Sequence, residues 1–193
     1  MLLLAVFFNW KLPKKRTGKM SNTLMILAHP SIEKSIGNKT ISEIIAKEDN
    51  TEVRHLNLLY PDFNIDISAE QDALLNADTI IFQYPLFWYS TPAILKEWID
   101  QVMQYGFAFG KESQLIGKKV IVSFTIGSPL KDYPQEIIEK ITFHLKGLTA
   151  YCKMEYLGEI FCNDINGYSE EAKENAIKRA NAHSQKLLKL INN

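Results

Sequence analysis

From Thr23 onward the sequence alternates between short, unbroken apolar runs and longer stretches in which apolar residues return every three or four positions. Thr23–Ala28 (TLMILA) is the first such run, and its lack of polar alternation predicts a strand buried on both faces. Asn38–Lys47 follows with helical spacing at Ile41, Ile44 and Ile45. Glu52–Leu56 reads as a second strand, and Ser68 with Gln71 three positions on reads as the capping box of another helix. Thr79–Tyr84 (TIIFQY) is the third strand. Thr91-Pro92 then predicts a hydroxyl N-cap and a first-turn proline for a helix with Leu95, Trp98, Ile99 and Val102 on one side. Lys119–Thr125 is a fourth strand, Gln135–Lys146 a helix and Glu155–Phe161 a fifth strand. The last helix starts near Ser169. Its buried stripe is predicted at Ala172, Ala176, Ala180 and Leu187, and its charges (Glu170 and Glu171 first, Lys186 and Lys189 late) suit the helix dipole.

Five strands, each followed by a helix, imply an α/β fold with a parallel sheet covered on both faces. Right-handed crossovers make that a doubly wound sheet, in the order 2-1-3-4-5. Residues 20–193 form one domain, without repeats or linkers. Residues 1–19 stand apart, with an apolar Leu2–Phe8 and a basic Lys11–Lys19. The apolar part is far shorter than the roughly 20 residues of a membrane span, and a secretory signal would carry its basic residues first. With a second start at Met20, this segment is expected to be upstream sequence read as protein, or a disordered tail.

Composition narrows the classes. The 193 residues are 46% hydrophobic and 23% charged, as in an ordinary globular domain. Twenty-two Lys and Arg balance 22 Asp and Glu, so no basic excess draws nucleic acid and no acidic excess marks a small electron carrier. Two cysteines, Cys152 and Cys162, are too few for a disulfide scaffold or a structural zinc site; they read as free thiols in a reducing cytoplasm. No metal site is expected.

In a doubly wound sheet, ligands bind outside the carboxyl ends of the strands where the strand order reverses. The loops after strands one, three and four therefore carry the candidate chemistry. The first, His29 to Asn38, opens into a helix whose free N–H groups make an anion site. Ser35 offers a hydroxyl, Asn38 an amide and His29 a ring N–H or a positive charge. There is no GxxxxGK[ST] and no GxGxxG. A helix cap at Ser35 and an ordinary loop histidine would explain the same residues. The second loop, Pro85-Leu86-Phe87-Trp88-Tyr89-Ser90-Thr91, places three aromatics in a row at a strand end. They either fill core or give a flat conjugated ligand something to pack on. The third, Thr125-Ile126-Gly127-Ser128-Pro129, could present N–H donors to an electron-rich heterocycle, or be a plain turn. Together, a phosphate loop, an aromatic shelf and a donor loop in one crevice suit a phosphorylated planar cofactor, best flavin mononucleotide (FMN), in preference to FAD.

With those loops, the sequence resembles the NAD(P)H:quinone oxidoreductase family of flavodoxin-like flavoproteins. The resemblance spans Thr23 to the C-terminus and is carried by AHP with Ser35 and Asn38, LYPDFNID (Leu59–Asp66), Glu70-Gln71, QYPLFWYSTPAILKEWID (Gln83–Asp100) and GFAFG (Gly106–Gly110). It is nearest the small bacterial branch, with its stress-linked quinone reductases and the ancillary subunits of glutathione-gated potassium-efflux antiporters. The resemblance implies that His29, Ser35, Ile36, Gly37 and Asn38 hold the flavin phosphate. Pro85, Leu86, Phe87, Trp88 and Tyr89 would flank the ring system and ribityl chain; Thr125, Ile126, Gly127 and Ser128 would bond the pyrimidine edge. Tyr133 matches a catalytic tyrosine near the flavin carbonyls. Phe107 and Phe109 match aromatics that wall the partner subunit's substrate pocket, which implies a homodimer.

The implied activity is ping-pong hydride transfer from NAD(P)H to flavin N5 and on to a quinone, in the cytoplasm. The alternative is a regulatory ancillary subunit of a potassium-efflux antiporter. Two departures stand out. Ser128 replaces the usual second glycine of the donor loop, and the family histidine that often follows the tyrosine is missing, with His144 too deep in a helix to replace it. His55 and His183 read as surface residues. Asp62 and Asp66 are expected to fix a turn and a helix start, and Lys96, Glu97 and Asp100 to form a solvated helix face.

Overall fold

A computed structural model describes residues 22–192. The expectation for residues 1–19 lies outside the described residues. Strands β1 (Thr23–Leu27), β2 (Thr51–His55), β3 (Thr79–Pro85), β4 (Lys119–Thr125) and β5 (Glu155–Cys162) form one parallel sheet in the order β2-β1-β3-β4-β5. Helices α1 (Ile36–Ile45), α2 (Leu56–Leu59), α3 (Ile67–Asn76), α4 (Ala93–Val102), α5 (Gln135–Tyr151) and α6 (Glu170–Ile191) make the connections.

Alternation along each strand sends neighbouring side chains to opposite layers. Met25, Leu27, Ile81 and Ile121 pack with Ile41 and Ile45 of α1 and Ala180 and Leu187 of α6. Leu24, Ile26, Phe82, Val122 and Phe124 pack on the other side with Leu74 of α3, Leu95, Trp98 and Val102 of α4, and Ile141 and Leu145 of α5. Full burial of each such side chain stabilises the fold by about 1.5–3 kcal/mol. Because both faces are covered, β1, β3 and most of β4 are buried throughout, which is why they read as unbroken apolar runs.

Several local expectations need correction. The cap of α3 is Asp66, whose carboxylate accepts from Ala69 N–H at 3.0 Å, rather than Ser68. Gln71, freed from any capping box, donates instead to the Val102 carbonyl at 3.0 Å and ties α3 to α4. The N-cap of α4 is Pro92 rather than Thr91, with no side-chain bond, and α5 runs five residues past Lys146 to Tyr151. Ala172 is only half-buried, while Ala176, Ala180 and Leu187 form the α6 stripe with two unexpected members, His183 and Ser184. Asp62 and Asp66 fix a turn and a helix start as expected, Asp62 by accepting from Asn64 N–H at 3.1 Å and Asp66 by capping α3.

Candidate functional site

The carboxyl ends of β1, β3 and β4 stand side by side, and their loops meet. Leu86 N–H donates to the Thr125 carbonyl at 2.8 Å, joining the second loop to the third. The His29 and Phe87 rings meet edge to face at 6.4 Å, joining the first to the second. Tyr133, which ends the short turn Leu130–Asp132, lies 6.0 Å from the Tyr89 ring.

In the first loop, Ser35 caps α1: its Oγ accepts from the Asn38 backbone N–H at 3.2 Å and from Asn38 Nδ2 at 3.3 Å. A first helical turn leaves the N–H groups of Ile36 and Gly37 without intrahelical partners. The His29 ring accepts from Ser31 N–H at Nδ1, 3.1 Å away, so its proton sits on Nε2. Burial, and then the neighbouring His55, push the His29 pKa down to about 4. Of the two options the sequence left open, His29 thus offers a neutral N–H donor at pH 7. His55 is no surface residue: it is 6% exposed and donates from Nε2 to the His29 carbonyl at 2.9 Å, anchoring the start of the loop.

The second loop is a tight hairpin. Phe87 and Ser90 exchange both backbone hydrogen bonds at 3.0 Å, and the two residues between them, Trp88 and Tyr89, have φ of 48° and 62°. Two consecutive left-handed residues are the signature of a type I′ turn, which ordinarily takes Asn-Gly. For a bulky side chain that conformation costs about 1–2 kcal/mol per residue. None of the three aromatics is core: Phe87, Trp88 and Tyr89 are all exposed, Trp88 at 95%. Leu86 is half-buried against the core and Pro85 ends β3.

In the third loop, Ile126 is buried and its N–H donates to the Cys162 carbonyl at 2.8 Å, continuing the β4–β5 ladder. The N–H groups of Gly127 and Ser128 take no part in that ladder and remain available. The Thr125 side chain turns away from this loop toward α1, where its Oγ1 accepts from Asn38 Nδ2 at 2.8 Å.

Sequence reasoning missed a fourth wall, the β5–α6 loop of residues 163–169. Asp164 N–H and Ile165 N–H donate to the Ser128 and Ile126 carbonyls at 3.1 and 3.0 Å. Ile165 then covers the start of α1. A Cβ on Gly37 would lie 2.7 Å from Ile165 Cγ2 and 3.1 Å from Thr125 Cγ2, so glycine is required by close approach. The signal was topological: β5 neighbours β4, so its loop must border the same crevice.

Phe107 and Phe109 do not join these loops. Phe107 is buried in its own core, while Phe109 is half-buried in a surface ledge between Tyr105 and Tyr151. Beyond Tyr133 the chain enters α5 at once, and His144 is exposed midway along that helix. Among the described residues no group of His, Cys, Asp and Glu could hold a metal ion, and no helix is long and apolar enough to cross a membrane.

A family model described as Flavodoxin_2, flavodoxin-like fold, matches residues 21–188. A glutathione-regulated potassium-efflux system ancillary protein, KefF of Enterobacter sp. (strain 638), is 40% identical over 140 residues, 69% of this chain and 78% of that one. The crystal structure of general stress protein 14 from Treponema denticola in complex with FMN superposes with a TM-score of 0.80 at 29% identity, covering 88% of this chain and 99% of that one. An NADPH-quinone reductase from P. pentosaceus gives 0.72 at 27% identity, with coverage of 86% and 96%.

Proposed function

Since the chain belongs to the family of flavodoxin-like proteins, we propose that it is an FMN-dependent NAD(P)H oxidoreductase acting on quinone-type acceptors. One observation carries the reading: a strained hairpin holds Trp88 and Tyr89 exposed in left-handed conformations beside a crevice lined with N–H donors. A turn built for packing alone would relax to small residues; strain that persists in this way collects at ligand sites.

The residues present fit the group. The α1 N-terminus, the Ser35 hydroxyl and the neutral His29 Nε2–H suit a phosphate. The aromatic hairpin suits a planar ring system, and the spare N–H groups of Gly127 and Ser128 suit its polar rim. When bound, FMN supplies the two-electron hydride chemistry that protein side chains lack. The chain's part is positioning and electrostatics. Gly127 and Ser128 would offer preorganised N–H donors to the negative charge that a reduced flavin carries, a contribution of about 3 kcal/mol per donor in comparable anion sites. Tyr133, beside Tyr89, holds a hydroxyl at the same rim. With no histidine after Tyr133, these donors carry the charge compensation. Donor and acceptor substrates would share one cleft in turn, which gives ping-pong kinetics. The exposed ledge of Tyr105, Phe109 and Tyr151 would seat a second copy in a cytoplasmic homodimer.

The test is the visible absorption spectrum of the purified protein reconstituted with FMN, followed by anaerobic addition of NADH or NADPH. A flavin spectrum that bleaches with nicotinamide and recovers with quinone is expected; a chain that stays colourless with excess FMN overturns the reading. The likeness to the potassium-efflux ancillary protein favours a second role on a transporter's cytoplasmic face. Co-purification with such an antiporter would establish it, without conflict with turnover.

A further inference from the structure

Two buried polar residues interrupt otherwise apolar strands. Gln83 of β3 and Ser123 of β4 are fully buried and paired in register, in the layer between the sheet and the α1–α6 pair. Unpaired, each would cost several kcal/mol there, and Val or Ile would pack instead. They are paired, and in one direction. Ser123 Oγ donates to Gln83 Oε1 at 2.6 Å, and Gln83 Nε2 donates to Asn38 Oδ1 at 2.8 Å. Asn38 Nδ2 then donates to Thr125 Oγ1 at 2.8 Å and Ser35 Oγ at 3.3 Å. At the other end His183 Nε2 lies 2.7 Å from Ser123 Oγ. With the hydroxyl hydrogen of Ser123 committed to Gln83, a relay running in this sense needs His183 Nε2–H as its donor, in competition with the Phe161 carbonyl, which can only accept from the same ring.

Counting hydrogens gives the outcome at the cleft. Ser35 Oγ accepts from both the backbone N–H and the side-chain amide of Asn38, which occupies its two lone pairs. Its remaining capacity is its own hydrogen. Thr125 likewise receives a hydrogen from Asn38 and keeps its own. Were the Asn38 amide reversed, the Ser35 hydroxyl would turn inward to donate, and its lone pairs would face the cleft and repel an anion. Only the Gln83 hydrogen bond holds Asn38 in the favourable sense, and only the chain behind it holds Gln83.

We propose that this relay, His183 to Ser123 to Gln83 to Asn38, sets Ser35 as a hydrogen donor for a phosphate, and that His183 is the positioning residue at its far end. The proposal rests on the reading of the cleft as a flavin phosphate site. His183, expected on the surface, is in fact 3% exposed, within the α6 stripe. Burial holds it neutral, with its pKa pushed down to about 4; the Phe161 carbonyl opposes that shift and the Lys186 charge adds to it. A neutral ring carries one N–H, and the relay requires it on Nε2.

Two measurements test this on the full chain. Nitrogen-15 NMR of the apoprotein reports the His183 tautomer directly: Nε2–H is expected, and Nδ1–H overturns the relay. Flavin fluorescence quenching then compares FMN with riboflavin, which lacks the phosphate. His183→Leu should weaken FMN binding by about tenfold and riboflavin by less than about twofold, as expected for losing a donor to a charged group. His183→Gln, which retains an amide donor, should restore FMN binding. Equal losses for both flavins, or none for either, refute the proposal, since a role in packing alone would not separate the two ligands. Should His183→Leu not fold, Ser123→Ala breaks the same relay and must give the same separation. If the wild-type chain binds neither flavin, the proposed function fails, and the tautomer still decides the relay.

Discussion

Each layer of this fold buries one polar network, and the two are built on opposite principles. On the α3–α4 side, Glu70 is fully buried and is met by Arg54 through Nε at 2.8 Å and a terminal nitrogen at 2.6 Å, by the Tyr60 hydroxyl, and by Trp98 Nε1 at 2.8 Å. Arg54, Tyr60 and Trp98 converge on one carboxylate, with Arg54 also reaching Glu52 at 2.9 Å, so the network is charged, convergent and local. It pins the LYPDFNID segment, through Tyr60, to β2 and α4. On the α1–α6 side, Asn38, Gln83, Ser123 and His183 form an uncharged chain that starts under a helix and ends at the cleft. A convergent cluster can only hold parts together; an open chain has a direction and can present hydrogens at one end. The contrast separates a staple from a device that shapes a binding surface.

The sharpest way to break the comparison is Glu70→Ala. It leaves a guanidinium, a phenol and an indole N–H without their common acceptor, and should cost about 3–5 kcal/mol in urea unfolding. Flavin affinity of the folded fraction should not change, and a change would mean that the staple also serves the site. Acid comes next. The unfolded chain titrates His183 near 6.5 and the folded chain near 4, so between these values the unfolded state binds the extra proton. Stability is therefore full above about pH 6.5 and lost on the way down, by roughly 3 kcal/mol at pH 4 from this group. His29 adds in the same sense. The urea midpoint of His183→Gln should follow pH less steeply than that of the wild type; identical slopes would remove His183 from the account. The smallest effect has the opposite sign. Replacing Trp88-Tyr89 by Asn-Gly should stabilise the chain by about 1 kcal/mol while weakening FMN binding. If stability falls together with binding, the hairpin is structural and the principal support for the proposed function is lost.

Much of this was legible in the sequence because it is periodic. Strands covered on both sides must be apolar throughout, and helices over them must repeat every three or four residues, so the five strands followed; their order was the leading doubly wound topology, and the sheet has it. The three loops followed from the order. What escaped depends on contacts across the chain. The capping box read at Ser68 failed because Asp66, already expected to start that helix, sits two residues earlier and takes Ala69 N–H. His55 and His183 were read by residue type, although position argued otherwise. His55 stands two residues from buried Val53 on the same strand face, and His183 continues the spacing of Ala176, Ala180 and Leu187. Gln83 and Ser123 carried a visible signal as polar residues inside apolar strands, but their partners lie 45 and 60 positions away.

The contact between Gly37 and Ile165 bears on how the protein is made. The turn proposed to hold the phosphate opens α1, yet its outer wall at Ile165 and the helix that backs it, α6, follow more than a hundred positions later. A chain leaving the ribosome from its N-terminus therefore carries an unfinished pocket until β5 and α6 have followed. Loading of the proposed cofactor must therefore wait for α6, and a truncation in α6 should weaken FMN binding although none of the loops is touched.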